Sequence, residues 1–453
     1  MAANANARGK LDRVSPIEPS RRDTRLDLYH DRYAARAFSM KESAVRALFA
    51  VANRPEVVSL AGGMPNIADL PLDVVGEAIS AMVQSANGPK ALQYGSGQGE
   101  VMIREQICEV MAEEGIRAHP DDVTVTVGSQ QALDLLTKIF CDPGDVILAE
   151  APSYVGALST FASYQAEVVH VEMDDKGLLP DRLREAVLTL AAQGKPVKFL
   201  YTIPNYSNPS GITQTLERRK AILEVARETG LLIVEDNPYG LLDLEGGRLP
   251  AIRSMESEQV IYLGSFSKTF SPGLRVGWVL APHAVREKLV LAQEAATLSP
   301  PTFSQYVVST YLKVHDWRQQ ITVFRDMYRQ RRDAMLDALP DHMPAGTTWT
   351  HPLGGFFVWL TLPAGIDSQA MLPRAVTNRV AYTPGTAFYS DGLGARNIRL
   401  SYCYPTPERI REGVRRLGEV LNRESQLNRT FGIRQPGPHF GLPELDSPQP
   451  NQA

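Results

Sequence analysis

The sequence contains only three cysteines, Cys108, Cys141 and Cys403, and they lie far apart in the chain. None of them belongs to a CxxC pair, and their number is odd. A disulfide framework or a zinc site needs paired or closely spaced cysteines, so this pattern argues against both. The cysteines are instead predicted to be buried free thiols, as expected of a protein in the reducing cytosol.

A surplus of positive charge and a long apolar run are also absent. The chain has 47 Lys and Arg against 51 Asp and Glu, so a general nucleic-acid-binding surface is not expected. No apolar run reaches the roughly 18 residues of a membrane span, and residues 1–25 lack the apolar core of a secretory signal. The eight histidines are scattered and indicate no metal site. We predict a cytoplasmic protein without nucleic-acid or membrane partners.

The chain is long enough for two or three folding units, with 453 residues of which 43% are hydrophobic. Its composition predicts a flexible N-terminal extension at residues 1–35 and an irregular, proline-rich tail at 428–453. Between them we predict a large domain at 89–320 and a small C-terminal domain at 321–427. Residues 36–88 are predicted to pack with the small domain and the active site.

Short apolar runs alternate with amphipathic stretches through the middle of the chain. The amphipathic stretches Gln130–Phe140 and Leu216–Thr229 predict helices. The apolar runs predict a mostly parallel sheet with helices on both faces. Two later helices, Ile321–Leu339 and Pro407–Asn422, flank strand-like pieces and predict a smaller α+β domain. The strand candidates of the large sheet are Val123–Val127, Val146–Ala149, Glu167–Val171, Lys198–Thr202, Leu231–Val234 and Val260–Leu263.

Polar side chains follow these strands, at the edge where an open α/β sheet binds its ligands. A Gly-Ser turn at 128–130 opens a helix after the first strand, and free N–H groups there favour an anion. Asn208 follows one later strand, and Asp236 with Tyr239 follows the next. The strand after that is followed by a lysine between hydroxyls and by an arginine, namely Ser265, Ser267, Lys268 and Arg275.

These groups together match the chemical needs of pyridoxal 5′-phosphate (PLP). A lysine such as Lys268 forms an imine with an aldehyde. A carboxylate such as Asp236 keeps a pyridine nitrogen protonated, so that the ring remains an electron sink. Each residue also has an ordinary structural interpretation, Lys268 as a solvated surface lysine and Asp236 as a helix cap. The combination of groups on one rim favours the cofactor site.

The sequence resembles the fold-type-I PLP-dependent aminotransferases of classes I and II, in the subgroup that includes 2-aminoadipate and kynurenine aminotransferases. The resemblance runs from about Met40 to Leu421, and its most specific motif is SFSKTFSPGLRVG at Ser265–Gly277. NPSG at 208–211 and EDNPYG at 235–240 occur in the family's order. The resemblance implies an α/β fold with a mostly parallel seven-stranded sheet in the large, PLP-binding domain.

The resemblance also implies a role for each cofactor-binding residue. Lys268 corresponds to the lysine that forms the imine and moves the proton, and Asp236 to the partner of the pyridine nitrogen. Tyr239 and Asn208 correspond to partners of the ring oxygen, and Tyr154 to the stacked aromatic ring. The residues that correspond to the phosphate site are Ser129, Gln130, Ser265, Ser267 and Arg275.

For the substrate, the resemblance assigns Arg399 to the α-carboxylate, with Asn208 beside it. Gly63 and Arg46 correspond to a segment that closes on the substrate, where Arg46 would meet an acidic side chain. Tyr94 corresponds to a residue lent across a homodimer interface. The sequence departs from the family at Asn237, a position that is often acidic in relatives.

The implied reaction is a ping-pong transfer of an amino group from an L-amino acid to a 2-oxo acid through an imine of Lys268. The donor side chain stays open between 2-aminoadipate, aromatic and branched-chain types. One alternative is another PLP reaction on this fold, such as β-elimination, decarboxylation or oxidation. A non-enzymatic regulator is disfavoured, because only about 35 residues precede the region that resembles the family. A purely structural role is disfavoured, because Lys268, Asp236 and Arg275 are all present.

Overall fold

The computed structural model describes residues 27, 29–40 and 54–431 of the chain. Most of the predicted extension and tail, and the predicted substrate residue Arg46, lie outside the described residues. The strands are β1 (Val58–Ser59), β2 (Val123–Val127), β3 (Val146–Ala151), β4 (Glu167–Asp174), β5 (Gly177–Leu178), β6 (Val197–Thr202), β7 (Ile233–Asp236), β8 (Val260–Ser265), β9 (Val276–Leu280), β10 (Thr348–Trp349), β11 (Phe357–Thr361), β12 (Val380–Ala381), β13 (Thr383–Pro384) and β14 (Asn397–Ser401).

The α-helices lie between these strands and cover the sheets, and 3₁₀ turns such as Ile252–Ser254 connect some of them. The α-helices of the described residues are α1 (Leu72–Gln84), α2 (Gly88–Ala91), α3 (Val101–Ala112), α4 (Gly128–Phe140), α5 (Val155–Ser163), α6 (Pro180–Ala192), α7 (Leu216–Thr229), α8 (His283–Thr297), α9 (Thr302–Val314), α10 (Trp317–His342), α11 (Ser368–Thr377) and α12 (Pro407–Phe431).

The large sheet has the strand order β2-β9-β8-β7-β6-β3-β4-β5 within the described residues. The central pairs β4–β3, β3–β6, β6–β7 and β7–β8 are parallel, and β9 runs antiparallel to both of its neighbours. The predicted mostly parallel, seven-stranded sheet is confirmed, and the two-residue β5 extends its edge. Strand β9 was not among the candidates, because its first two residues belong to the motif Ser265–Gly277 that the sequence assigns to the site.

The strands of this sheet form because their side chains are apolar on both faces. Every residue of β7, β8 and β9 is buried. Helix α7 has clear end signals, since the Thr215 side chain accepts from the Arg218 N–H and Gly230 ends the helix with φ 71°. The crossover helices therefore return each parallel strand to the same edge, where the strand ends collect polar side chains.

The C-terminal part of the chain forms a second sheet with the order β10-β11-β14-β13, covered by α10, α11 and α12. Strand β1 pairs with β12, which joins residues 58–59 to this part. Helix α10 begins at Trp317, before the predicted boundary at 320, with Asp316 as its N-cap. Helix α12 continues to Phe431, so the predicted start of the tail at residue 428 lies inside the helix. Asn428 packs with the domain, since its side-chain amide donates to the Gly365 carbonyl at 2.8 Å.

No helix in the described ranges is long and apolar enough to cross a membrane. The same residues contain no group of three or more His, Cys, Asp or Glu side chains that would hold a metal ion.

Gly264 is predicted to be required for the close pairing of β8 and β9. A Cβ at Gly264 would lie 2.2 Å from the Trp278 ring, whereas a Cβ at Gly247 would have no atom within 4 Å. Gly264→Ala is therefore expected to cost about 2 kcal/mol of stability, measured by chemical denaturation, while Gly247→Ala changes it little. Equal stability of the two variants would contradict this packing.

Candidate active site

A cavity of about 500 Å³ lies where β6, β7 and β8 end, and the small domain closes its other side through Phe357 and Arg399. Its volume suits a small organic ligand. Most of the residues predicted for the site line this cavity, namely Gly63, Ser129, Gln130, Tyr154, Asn208, Asp236, Tyr239, Ser265, Ser267, Lys268 and Arg399.

Lys268 follows the end of β8 and places its amine in the cavity. Its Nζ donates to the Gly63 carbonyl at 2.9 Å and lies 5.7 Å from the centroid of the Phe356 ring. Burial lowers the pKa of Lys268 to about 8, and the nearby Arg399 and Arg275 act in the same direction. A substantial fraction of the amine is therefore neutral near physiological pH, as a nucleophile or a base requires.

Asp236 ends β7 and is only 2% exposed. Its Oδ2 accepts from the Tyr201 hydroxyl at 2.7 Å, but its Oδ1 is buried without a hydrogen-bond partner. Burial raises the pKa of Asp236 to about 6, against the opposing effect of the Tyr201 hydrogen bond. A buried acceptor without a partner is rare, so this oxygen fits a ligand that brings an N–H donor, as a protonated pyridine does.

The start of α4 and the loop after β8 meet at one corner of the cavity. Gly128 opens the helix with φ 71°, and a Cβ there would lie 2.3 Å from Arg275 Nη2. Arg275 does not line the cavity; it donates to Ser267 Oγ at 3.3 Å and to the Val127 carbonyl at 3.2 Å from behind. The Ser265 hydroxyl donates to Ser267 Oγ at 2.8 Å. Helix N–H groups, hydroxyls and a guanidinium together suit a phosphate.

Two tyrosines belong to the site, the buried Tyr239 and the partly buried Tyr154. Tyr239 lies edge-on to the rings of Phe356 and Phe357, and burial raises its pKa, so the phenol keeps its proton. Tyr154 donates weakly to Gln130 Oε1 at 3.4 Å, and burial raises its pKa as well. Both rings line the cavity and present an aromatic surface to a flat ligand.

Arg399 on β14 is a buried cation that has no carboxylate partner among the described residues. Its Nη1 donates to Asn208 Oδ1 at 2.9 Å, and its Nη2 donates to the Ala61 carbonyl at 2.6 Å. The guanidinium lies 4.3 Å from the Phe357 ring centroid and 4.9 Å from that of Phe388. Burial lowers the pKa of Arg399 to about 10, and its Nε has no partner. This environment favours an anionic ligand such as a carboxylate.

Tyr94 does not reach the cavity of its own chain. It is 78% exposed and lies in a separate surface depression with Leu92, Pro301 and Phe303. Its predicted role therefore depends on a second chain.

Several residues of the site had no signal in the sequence analysis. Tyr201 is an interior residue of β6, and its sequence context predicts an apolar strand position, yet its hydroxyl donates to Asp236.

The departure from the family at Asn237 also has a physical reason. Its amide nitrogen donates to the buried Glu114 at 2.6 Å, and its oxygen accepts from Asn205 at 3.0 Å. An acid at 237 would face the Glu114 carboxylate instead.

Comparison with known proteins gives a consistent picture. The family model described as aminotransferase class I and II matches residues 56–417. Aromatic-amino-acid aminotransferase 1 of Thermococcus litoralis is 42% identical over 399 residues, which cover 87% of this chain and 95% of that protein.

Two solved structures are similar over most of both chains. The kynurenine aminotransferase of Pyrococcus horikoshii, in complex with PMP, has a TM-score of 0.83 at 38% identity. The match covers 86% of this chain and 97% of that structure's chain. The α-aminoadipate aminotransferase of Thermus thermophilus, complexed with N-(5′-phosphopyridoxyl)-L-leucine, has a TM-score of 0.81 at 36% identity. The match covers 88% of this chain and 99% of that structure's chain.

Asp236→Asn is predicted to stabilise the protein when no cofactor is present. The pKa of Asp236 is raised from 3.8 to about 6 in the folded chain, so its charged form disfavours folding increasingly as pH rises from 3.8 to 6 and fully above that. The stability gained by the variant should therefore grow by about 1 kcal/mol between pH 5 and pH 8. Urea denaturation of both apo-proteins measures it; a gain independent of pH would contradict the assigned cause.

Proposed function

Because the chain belongs to the class I and II aminotransferases, we propose that it uses pyridoxal 5′-phosphate to move the amino group of an L-amino acid to a 2-oxo acid. The observation that carries the proposal is the convergence of three groups on one cavity. These are the amine of Lys268, the unpartnered oxygen of Asp236 and the guanidinium of Arg399. Each suits a different part of the cofactor and substrate pair.

The residues around the cavity fit this cofactor. Asp236 Oδ1 would face the ring nitrogen, and Tyr239 and Asn208 would face the ring oxygen. Tyr154 would lie against the ring. When bound, pyridoxal phosphate supplies an electron sink for the charge left at the substrate Cα. Its phosphate would be held by Ser129, Gln130, Ser265 and Ser267, with Arg275 behind them.

The chain's own residues then orient the substrate and move its proton. Arg399 would bind the α-carboxylate, which gives this buried cation the anionic partner that it lacks among the described residues. Lys268 Nζ would take the proton from the substrate Cα, since burial lowers its pKa to about 8 and makes it a competent base. Tyr201 would keep Asp236 oriented through its hydrogen bond.

The lining of the cavity supports donors with large apolar side chains. Met64, Val155, Ile203 and Phe357 line it beside the aromatic residues. We therefore propose aromatic or branched-chain donors, with 2-oxoglutarate or pyruvate as acceptor. For a 2-aminoadipate donor, the resemblance places Arg46 at the distal carboxylate, and this residue lies outside the described residues. No observation on the described residues favours β-elimination, decarboxylation, oxidation or a regulatory role.

We also propose that the enzyme is a homodimer whose active sites include Tyr94 of the second chain. Large apolar side chains are exposed in the same surface depression as Tyr94, among them Leu92 and Phe303, and a partner chain would cover them. The three free cysteines support a cytosolic location.

Lys268→Ala is expected to lower turnover at least about a hundredfold, because it removes both the nucleophile and the base. The assay is a panel of aromatic, branched-chain and acidic L-amino acids with 2-oxoglutarate, read by the product amino acid and by the visible absorption of bound PLP. Lys288→Ala, which changes an exposed lysine of α8, is the matched control. Wild-type turnover by Lys268→Ala, or ammonia release by the native enzyme, would refute the proposal.

The predicted role of Tyr94 can be tested by complementation between two inactive variants. Co-expression of Lys268→Ala with Tyr94→Ala should restore activity, because each mixed dimer then holds one intact site. Random pairing would place intact sites at about a quarter of all positions. Sedimentation of each variant alone checks that it still dimerises. If Tyr94 served its own chain, no mixed dimer would contain an intact site and the activity would stay lost.

A further inference from the structure

Glu150 is a buried carboxylate beside the active site that does not line the cavity. It lies near the end of β3, is 1% exposed, and has no Lys or Arg partner among the described residues. A buried carboxylate without a cation is unfavourable for folding, so its presence calls for an explanation other than stability.

The side-chain hydrogen bonds of Glu150 are made with Thr202, the last residue of β6, and with the loop of residues 203–214 that follows it. Its Oε1 accepts from the Thr202 hydroxyl at 2.5 Å and from Gln214 Nε2 at 2.8 Å, at the two ends of the loop. Its Oε2 accepts from the Ile203 N–H at 3.3 Å and from the Ser207 hydroxyl at 3.4 Å. One carboxylate thus closes the loop at both ends and contacts its middle.

This loop carries groups that face the cavity. Ile203 and Asn208 both line it, and Asn208 directly follows Ser207. Asn208 Oδ1 accepts from Arg399 Nη1 at 2.9 Å. The carboxylate of Glu150 is therefore connected to the guanidinium of Arg399 through two adjacent residues of the loop.

We propose that Glu150 is a positioning residue, which sets the affinity of the site for substrate carboxylates by holding the 203–214 loop so that Asn208 orients Arg399. This inference rests on the proposed function, because it takes Arg399 as the carboxylate-binding residue. Glu150 touches neither substrate nor cofactor, so its removal acts on binding rather than on proton transfer.

The test compares Glu150→Ala and Glu150→Gln with the wild-type holoenzyme. The readouts are KM for donor and acceptor, kcat, and the Kd of 3-phenylpropionate, an unreactive carboxylate, measured by calorimetry. Glu150→Ala should raise both KM values and this Kd about tenfold, since a small misplacement of a binding group has effects of this order. Its kcat and its visible PLP absorption should change much less. Glu150→Gln keeps one acceptor oxygen and the side-chain volume, so it should recover most of the affinity.

Glu235→Ala is the matched control. Glu235 is equally buried on β7, which is separated from β3 by β6 in the sheet. It accepts from the backbone N–H groups of Ile252 and Arg253 at 2.9 and 2.8 Å, away from the cavity. This variant should lower the midpoint of thermal unfolding and leave KM and Kd unchanged in the folded protein.

The inference is overturned if Glu150→Ala binds 3-phenylpropionate as the wild type does, or if Glu235→Ala weakens binding equally. Should Glu150→Ala not fold, Ser207→Ala decides the question, because it removes the hydrogen bond between Glu150 and the residue next to Asn208. Wild-type affinity for 3-phenylpropionate together with wild-type KM in that variant then overturns the inference. Failure of the proposed function would look different, because the wild-type protein would then transfer no amino group to any 2-oxo acid.

Discussion

The site depends on three ionisable groups that share one cavity without forming an ion pair, the buried Asp236 and Arg399 and the partly buried Lys268. Among the described residues, Lys268, Asp236 and Arg399 form no ion pair with one another or with a third side chain. Burial shifts the pKa of each group in the direction that favours its neutral form. The charged form of each group therefore lowers the stability of the folded chain. A ligand with a cationic nitrogen, an electrophilic carbon and a carboxylate relieves all three at once. Reactivity and selectivity thus have the same physical source.

The remainder of the fold supports this arrangement. Parallel strands bring Asp236 and Lys268 to one edge, and the small domain adds Arg399 from the other side. Close backbone contacts hold the pieces in register, as where Gly264 faces Trp278 on the adjacent strand. Polar contacts behind the cavity, such as that of Tyr201 with Asp236, fix side chains that the ligand would otherwise have to order.

Sequence patterns predicted the apolar parts of the fold well and the buried polar parts poorly. The bounds of β2 and α7 were predicted correctly, because alternation and capping residues mark them. Strand β3 extends two residues further than predicted and includes Glu150, and β7 begins and ends two residues later than predicted, so that it includes Glu235 and Asp236. Hydropathy predicts that such acidic side chains are exposed to solvent. Their carboxylates can be buried only because hydrogen-bond donors that are distant in sequence contact them. For the same reason the motifs identified the residues that line the cavity, but not Tyr201 or Glu150, which form hydrogen bonds with Asp236 and with the loop that carries Asn208.

The short segment that follows β1 has a further consequence. Its carbonyls at Ala61 and Gly63 accept from Arg399 and from Lys268, so the dipoles of a short backbone segment stabilise both cations. The segment is anchored to the small domain by the pairing of β1 with β12. Displacement of either hydrogen bond by a ligand changes the position available to the other carbonyl. The energetic contributions of Lys268 and Arg399 are therefore not independent, and they constitute one thermodynamic unit whose parts cannot be summed.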